Sequence, residues 1–222
     1  MKTQTNTRTR SGLVATLVGA SALTATAQAQ SGWFNLQPAY NTETESPTLR
    51  LESGADLGKG FDLYGFVDID ASKERSFDLE TFYGEARLSY SLEDISDSLK
   101  GFKLATEYNG GSNVDDLMRL GIKYDTSLGK GNYLSLRAFP FETSGDAGPK
   151  IGIFTTQDLT DRISAQVLLN YYPDSKSFYL EPEVNFKIGG NTSLFLQGRS
   201  FGELNKDLIS DMTPVIGIKF KF

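Results

Sequence analysis

Residues 61–69 read Phe61-Asp62-Leu63-Tyr64-Gly65-Phe66-Val67-Asp68-Ile69. The odd positions are apolar or glycine, and the even positions are Asp62, Tyr64, Phe66 and Asp68. Successive side chains of an extended backbone point to opposite faces, so strict alternation marks a β-strand with one apolar face. The same pattern recurs along the chain and predicts twelve strands, near 33–42, 47–57, 61–71, 80–92, 99–109, 116–126, 132–141, 149–157, 162–172, 177–188, 192–201 and 213–222.

One face stays apolar from strand to strand, from Phe34, Leu36 and Tyr40 in the first to Ile216, Ile218, Phe220 and Phe222 in the last. No charge falls on this face in mid-strand; Glu80, Lys100 and Asp116 reach it only at predicted strand starts. The other face holds Arg50, Glu52, Asp62, Asp68, Glu85, Arg87, Lys103, Glu107, Arg119, Lys123, Arg137, Glu181, Glu183, Lys187, Arg199, Lys219 and Lys221. With 23% of the chain charged, that exclusion is not an accident of composition. A soluble barrel turns its apolar face inward and a membrane barrel turns it outward. Tyr40, Tyr90, Tyr108, Tyr124, Tyr171 and Phe222 sit near strand ends, as an aromatic girdle at the two membrane interfaces would. Short connections such as Gly58-Lys59-Gly60 and 189–192 alternate with longer ones such as 71–80 and 201–212. Periplasmic turns of outer-membrane barrels are short and their outer loops longer. Pro182 lies inside a predicted strand and lacks the N–H of a closed ladder, so a bulge is expected there.

The two ends of the chain support the same reading. Residues 1–29 open with Lys2, Arg8 and Arg10, continue through a short apolar stretch and finish Ala27-Gln28-Ala29, the layout of a cleaved secretory signal peptide. Residues 30–222 are then a single barrel domain. The segment takes three of the 22 basic residues and none of the 28 acidic ones, leaving 19 against 28 and a formal charge of −9. Such a balance argues against nucleic-acid binding, which needs an excess of Lys and Arg. The chain ends Val215-Ile216-Gly217-Ile218-Lys219-Phe220-Lys221-Phe222. Gly217, Phe220 and Phe222 resemble the C-terminal signal of outer-membrane proteins read by the barrel assembly machinery, with Val215 departing at its polar position.

The chain has no cysteine and no histidine. Thiolate chemistry, the commonest general base and any Ser-His pair are therefore absent. Glu181 and Glu183 face the same way, as a glycosidase pair would, but without a cleft signature. Asp68 and Asp70 lack the loop spacing of a calcium site. No enzyme activity, metal or cofactor is expected.

Phe61 to Asp68 resembles the third-strand motif of the Tsx-type nucleoside-specific channels, with weaker echoes in Glu85-Ala86-Arg87-Leu88-Ser89 and in 120–128. That resemblance implies a monomeric, twelve-stranded, up-and-down antiparallel barrel in the bacterial outer membrane. It implies passive diffusion of nucleosides past aromatic and ionisable side chains. The chain is shorter than typical members, mainly in its loops. Stacking a base needs aromatic faces, and binding a sugar needs carboxylates or amides. The candidate solute-binding residues are Asp62, Tyr64, Phe66, Asp68, Tyr83, Glu85, Arg87, Arg119, Glu181 and Asn185, with Tyr64, Phe66 and Tyr83 as a greasy slide. Glu85 with Arg87, and Arg50 with Glu52, are equally readable as structural lumen ion pairs. The alternatives are a structural or surface-interaction barrel with a plugged lumen, or a soluble lipocalin-like carrier.

Overall fold

The structure, a computed structural model, describes residues 31–71, 79–112, 114–145, 147–203 and 212–222; the expected export segment 1–29 lies outside them. Twelve strands follow one another: β1 (Ser31–Asn41), β2 (Ser46–Gly58), β3 (Phe61–Ala71), β4 (Leu79–Ser91), β5 (Phe102–Gly111) and β6 (Leu117–Gly129). The second half comprises β7 (Asn132–Glu142), β8 (Lys150–Asp158), β9 (Ile163–Tyr172), β10 (Ser177–Gly189), β11 (Thr192–Glu203) and β12 (Thr213–Lys221). Each strand pairs antiparallel with its sequence neighbours, and β1 pairs with β12, so the sheet closes into a barrel.

The interior is the polar side. Among the described residues the largest fully buried side chains are Phe139, Lys150, Gln197, Glu107, Glu183, Val215 and Ser135, five of them polar or charged. Leu120, Ile122, Leu196 and Ile216 are instead half-exposed on the outer wall. A water-soluble protein would bury the second set and expose the first; lipid outside the barrel reverses the arrangement. Around the end that carries Ser31 and Phe222, outward rings pair as Phe34–Phe222, Phe61–Tyr90 and Phe102–Tyr124, with centroids 6.1, 4.7 and 4.9 Å apart. Tyr40, Tyr108 and Tyr171 lie toward the other ends of their strands. These are the two rims of an aromatic girdle. Lys100 and Asp116 fall just outside β5 and β6, so neither charge enters the lipid-facing band.

The sheet departs from the expected pattern at several places. Pro182 makes no bulge: the β10–β11 register runs unchanged from Leu180↔Ser200 to Glu183↔Gln197, and the ladder skips the two positions between. The missing N–H leaves a gap without adding a residue. Pro38 coincides with the same kind of gap in the closing β1–β12 seam, between Leu36↔Phe220 and Ala39↔Gly217. Register shifts occur near several strand ends and, in mid-strand, where β6 meets β7, between Leu120↔Phe141 and Ile122↔Ala138. There Gly121 faces two residues of β7, and a Cβ on it would collide with the Ala138 carbonyl. Finally, the connection between β4 and β5 is longer than the two-residue turns on the same rim and contains a 3-10 turn, Asp97–Leu99, capped by the Ser96 hydroxyl.

Replacing the lipid-facing Leu196 by Arg is expected to cost roughly 2–4 kcal/mol of folding stability, read by denaturant titration of the protein in liposomes. An unchanged midpoint would contradict an outward Leu196.

Candidate functional site: the lumen

An aromatic track climbs one wall of the lumen. Trp33 on β1, Gly54 on β2 and Tyr64 on β3 lie in register across three strands. Gly54 has no side chain, and the indole of Trp33 covers it; a Cβ there would lie 2.7 Å from the ring. Trp33 and Tyr64 therefore meet, with centroids 6.3 Å apart. Phe66 follows two residues on, 6.3 Å from Tyr64. Tyr83 comes next on β4, 5.8 Å from Phe66. Arginines cap the track: the Arg50 guanidinium lies 4.7 Å from the Phe66 centroid and that of Arg87 lies 5.4 Å from Tyr64. Rings on other strands meet in isolated pairs, Tyr133 with Phe154 and Tyr172 with Phe201.

The charges gather into nodes. In the first, Arg50 donates to both Asp68 oxygens, at 2.6 and 2.8 Å. It also reaches Glu181 on β10, at 3.0 Å. Arg199 approaches the same two acids, at 3.5 Å from Asp68 and 3.7 Å from Glu181, and Tyr179 donates to Glu181. The node thus ties the β2–β3 wall to the β10–β11 wall. In the second node Glu107, fully buried, accepts from Lys150 at 2.7 Å, Arg87 at 2.9 Å, Asn109 at 3.0 Å and Arg119 at 3.4 Å. Glu85 pairs with Arg87 and lies 3.7 Å from Lys150. A third carboxylate, Glu183, is held by Lys219 at 2.6 Å, Asn185 at 2.8 Å and Gln197 at 3.1 Å. Nearer the termini, Asp125 takes Lys123 at 2.8 Å and Lys103 at 3.3 Å, and Lys103 also donates to Asp62. Charges taken out of bulk water need this degree of pairing to be tolerated.

The space between these walls is substantial. A cavity of about 960 Å³ opens at the end carrying the termini. A second, of about 800 Å³, extends from it toward Asp70, Arg199 and Phe201. Trp33, Tyr64, Lys123, Tyr133, Lys219 and Lys221 line both.

All ten expected site residues point inward, but they do different things. Tyr64, Phe66, Asp68, Tyr83, Glu85, Arg87 and Glu181 line the inner cavity, and Asp62 lines the outer one. Arg119 and Asn185 line neither of these two cavities; both are buried and donate to Glu107 and Glu183. The expected pairing of Arg50 with Glu52 does not occur. Arg50 takes Asp68, directly opposite it on β3. Glu52 accepts instead from Asn35, Gln37 and Tyr64, each at 2.9 Å. Trp33, Lys150, Phe154 and Tyr172 also face the lumen, although the sequence reading does not single them out. Their shared signal is parity: each lies an even number of residues from a polar inward neighbour such as Asn35 or Asn170.

No protein-family model matches the chain, and no curated protein matches it in sequence. Solved structures do match in shape. A KdgM porin superposes with a TM-score of 0.55 at 14% identity, over 86% of this chain and 99% of that one. A second, described as KdgM porin in complex with disordered oligogalacturonate, gives a TM-score of 0.56 at 13% identity over the same shares. The chain has the fold of an outer-membrane porin. That fold, the apolar outer band and the two aromatic rims place it in the bacterial outer membrane.

Truncating Glu107 to Ala would strand Lys150, Arg87 and Arg119 in the wall. The expected loss is about 3–5 kcal/mol, seen as a lower temperature for the shift from folded to unfolded gel mobility; an unshifted transition would show that the node adds no stability.

Proposed function

We propose that the protein is an outer-membrane channel for passive diffusion of small hydrophilic solutes, with nucleosides as the solutes suggested by its Tsx-like third strand. The observation that carries this reading is the Trp33–Tyr64–Phe66–Tyr83 track along an open cavity. A base slides along successive ring faces at little cost in specificity, because every base has a π-face. Asp68, Glu85 and Glu181 beside the track supply acceptors for sugar hydroxyls. A porin of similar shape described in complex with an oligogalacturonate supports reading the lumen as a route for solutes. Gly217, Phe220 and Phe222 fit the role of the assembly signal, and the barrel is taken to work as a monomer.

A second reading, a structural barrel with a closed lumen, is favoured by one observation: the Arg50–Glu181 pair reaches from wall to wall. Liposome swelling separates the two. Entry of uridine and small sugars supports the channel; exclusion of every solute supports the structural barrel.

In planar bilayers Tyr64→Ala is expected to weaken block of ion current by uridine about fivefold, the scale of one lost aromatic contact. Unchanged block would remove the track from the mechanism. Arg50→Gln with Glu181→Gln is expected to raise single-channel conductance, since the bridge narrows the path; unaltered conductance would show that ions pass elsewhere.

A further inference from the structure

Most lumen cations have a carboxylate within ion-pair distance, but among the described residues Arg137 has none. Among the described residues its side chain has one hydrogen bond, from Nε to the Ser135 hydroxyl at 3.3 Å. Its guanidinium lies 5.6 Å from the centroid of Phe154. Directly opposite on β6 is another cation, Lys123, whose own carboxylate is Asp125. Like charges directly opposite one another in a sheet destabilise it, so the pair is costly unless something negative enters.

A second, independent feature adjoins it. Arg137, Gly152 and Asn170 are in register across β7, β8 and β9. Over Gly152 the side chains of Arg137 and Asn170 converge: the position of an added Cβ lies 3.6 Å from the Arg137 stem and 2.8 Å from Asn170 Oδ1. Asn170 is only 6% exposed, and its Oδ1 has no hydrogen-bond partner. A buried acceptor without a donor loses its hydration and gains nothing in return. All three of Arg137, Asn170 and Phe154 line the inner cavity. That cavity presents eight basic side chains against five carboxylates, opposite in sign to the net charge of −6 of the whole chain.

We infer that Arg137 and Asn170 form a binding site for sugars that carry a carboxylate or a phosphate. The guanidinium fork takes the anionic group through two N–H donors, the geometry at which arginine surpasses lysine. A hydroxyl next to that group donates to Asn170 Oδ1, and the sugar ring lies against Phe154. The inference deepens the channel reading by making the preferred solute acidic rather than neutral, though binding at this site does not require conduction.

The chain has one tryptophan, Trp33, and it lines the same cavity. Its fluorescence in the detergent-folded protein reports binding without any current. Uridine 5′-monophosphate against uridine tests the phosphate, and glucuronate against glucose tests the carboxylate. At least one anion should bind about tenfold more tightly than its neutral counterpart, and Arg137→Gln should abolish that preference. Arg137→Lys, which keeps the charge and the bulk, should retain only part of it. The site is overturned if neither anion is preferred, or if the preference survives Arg137→Gln in a barrel whose gel mobility remains heat-modifiable. Should the anions bind while bilayers show no conductance, the channel reading fails and the site stands. Uridine-blocked conductance without any anion preference overturns the site and leaves the channel standing.

Discussion

The backbone's need for hydrogen-bond partners inside a lipid bilayer controls everything else in this molecule. Hydrocarbon offers none, and each unpaired group there costs several kcal/mol. A sheet meets that demand only by closing on itself, and here β1 closes on β12. Closure then dictates side-chain chemistry. One face of every strand meets lipid and must be apolar; the other meets a space too narrow for bulk water to screen all of its charges. Glu107, with four donors around one carboxylate, is the local answer to that second demand.

The lumen follows from the same geometry. Positions two apart on one strand share a wall, and directly opposed residues on neighbouring strands come closer still. Tyr64 and Phe66 use the first relation, and Arg50 with Asp68 uses the second. Trp33 and Tyr64 meet across an intervening strand only because Gly54 holds nothing between them. Aromatic surface and paired charge thus alternate up the wall, so a solute with both a ring and hydroxyls finds partners at successive depths.

Strand positions are legible in the sequence because alternation is a local property. It predicts the third strand at residues 61–71, and the strand runs Phe61–Ala71. Inward direction is legible for the ten site residues for the same reason. Partnership is not. Arg50 reaches Glu181 across 131 residues, a contact created only when the barrel closes. Which basic side chains line the cavity is not legible either: Arg87 does and Arg119 does not, although both are buried and both donate to Glu107. The bulge expected at Pro182 does not form because a missing donor is not an inserted residue: the ladder skips the position and keeps its register.

The two proline gaps have a joint consequence. One interrupts the seam between β1 and β12 and the other the seam between β10 and β11, so they flank the same hairpin on both sides. The ladder within that hairpin, β11 with β12, continues without a break from Thr192↔Phe220 to Arg199↔Thr213. The last hairpin of the chain is thus a panel with an unbroken ladder of its own and a two-residue gap in the ladder on each border. Amide exchange and lateral breathing of the wall should begin along its borders. The C-terminal aromatics therefore ride on a panel whose outer ladders are each interrupted by a proline.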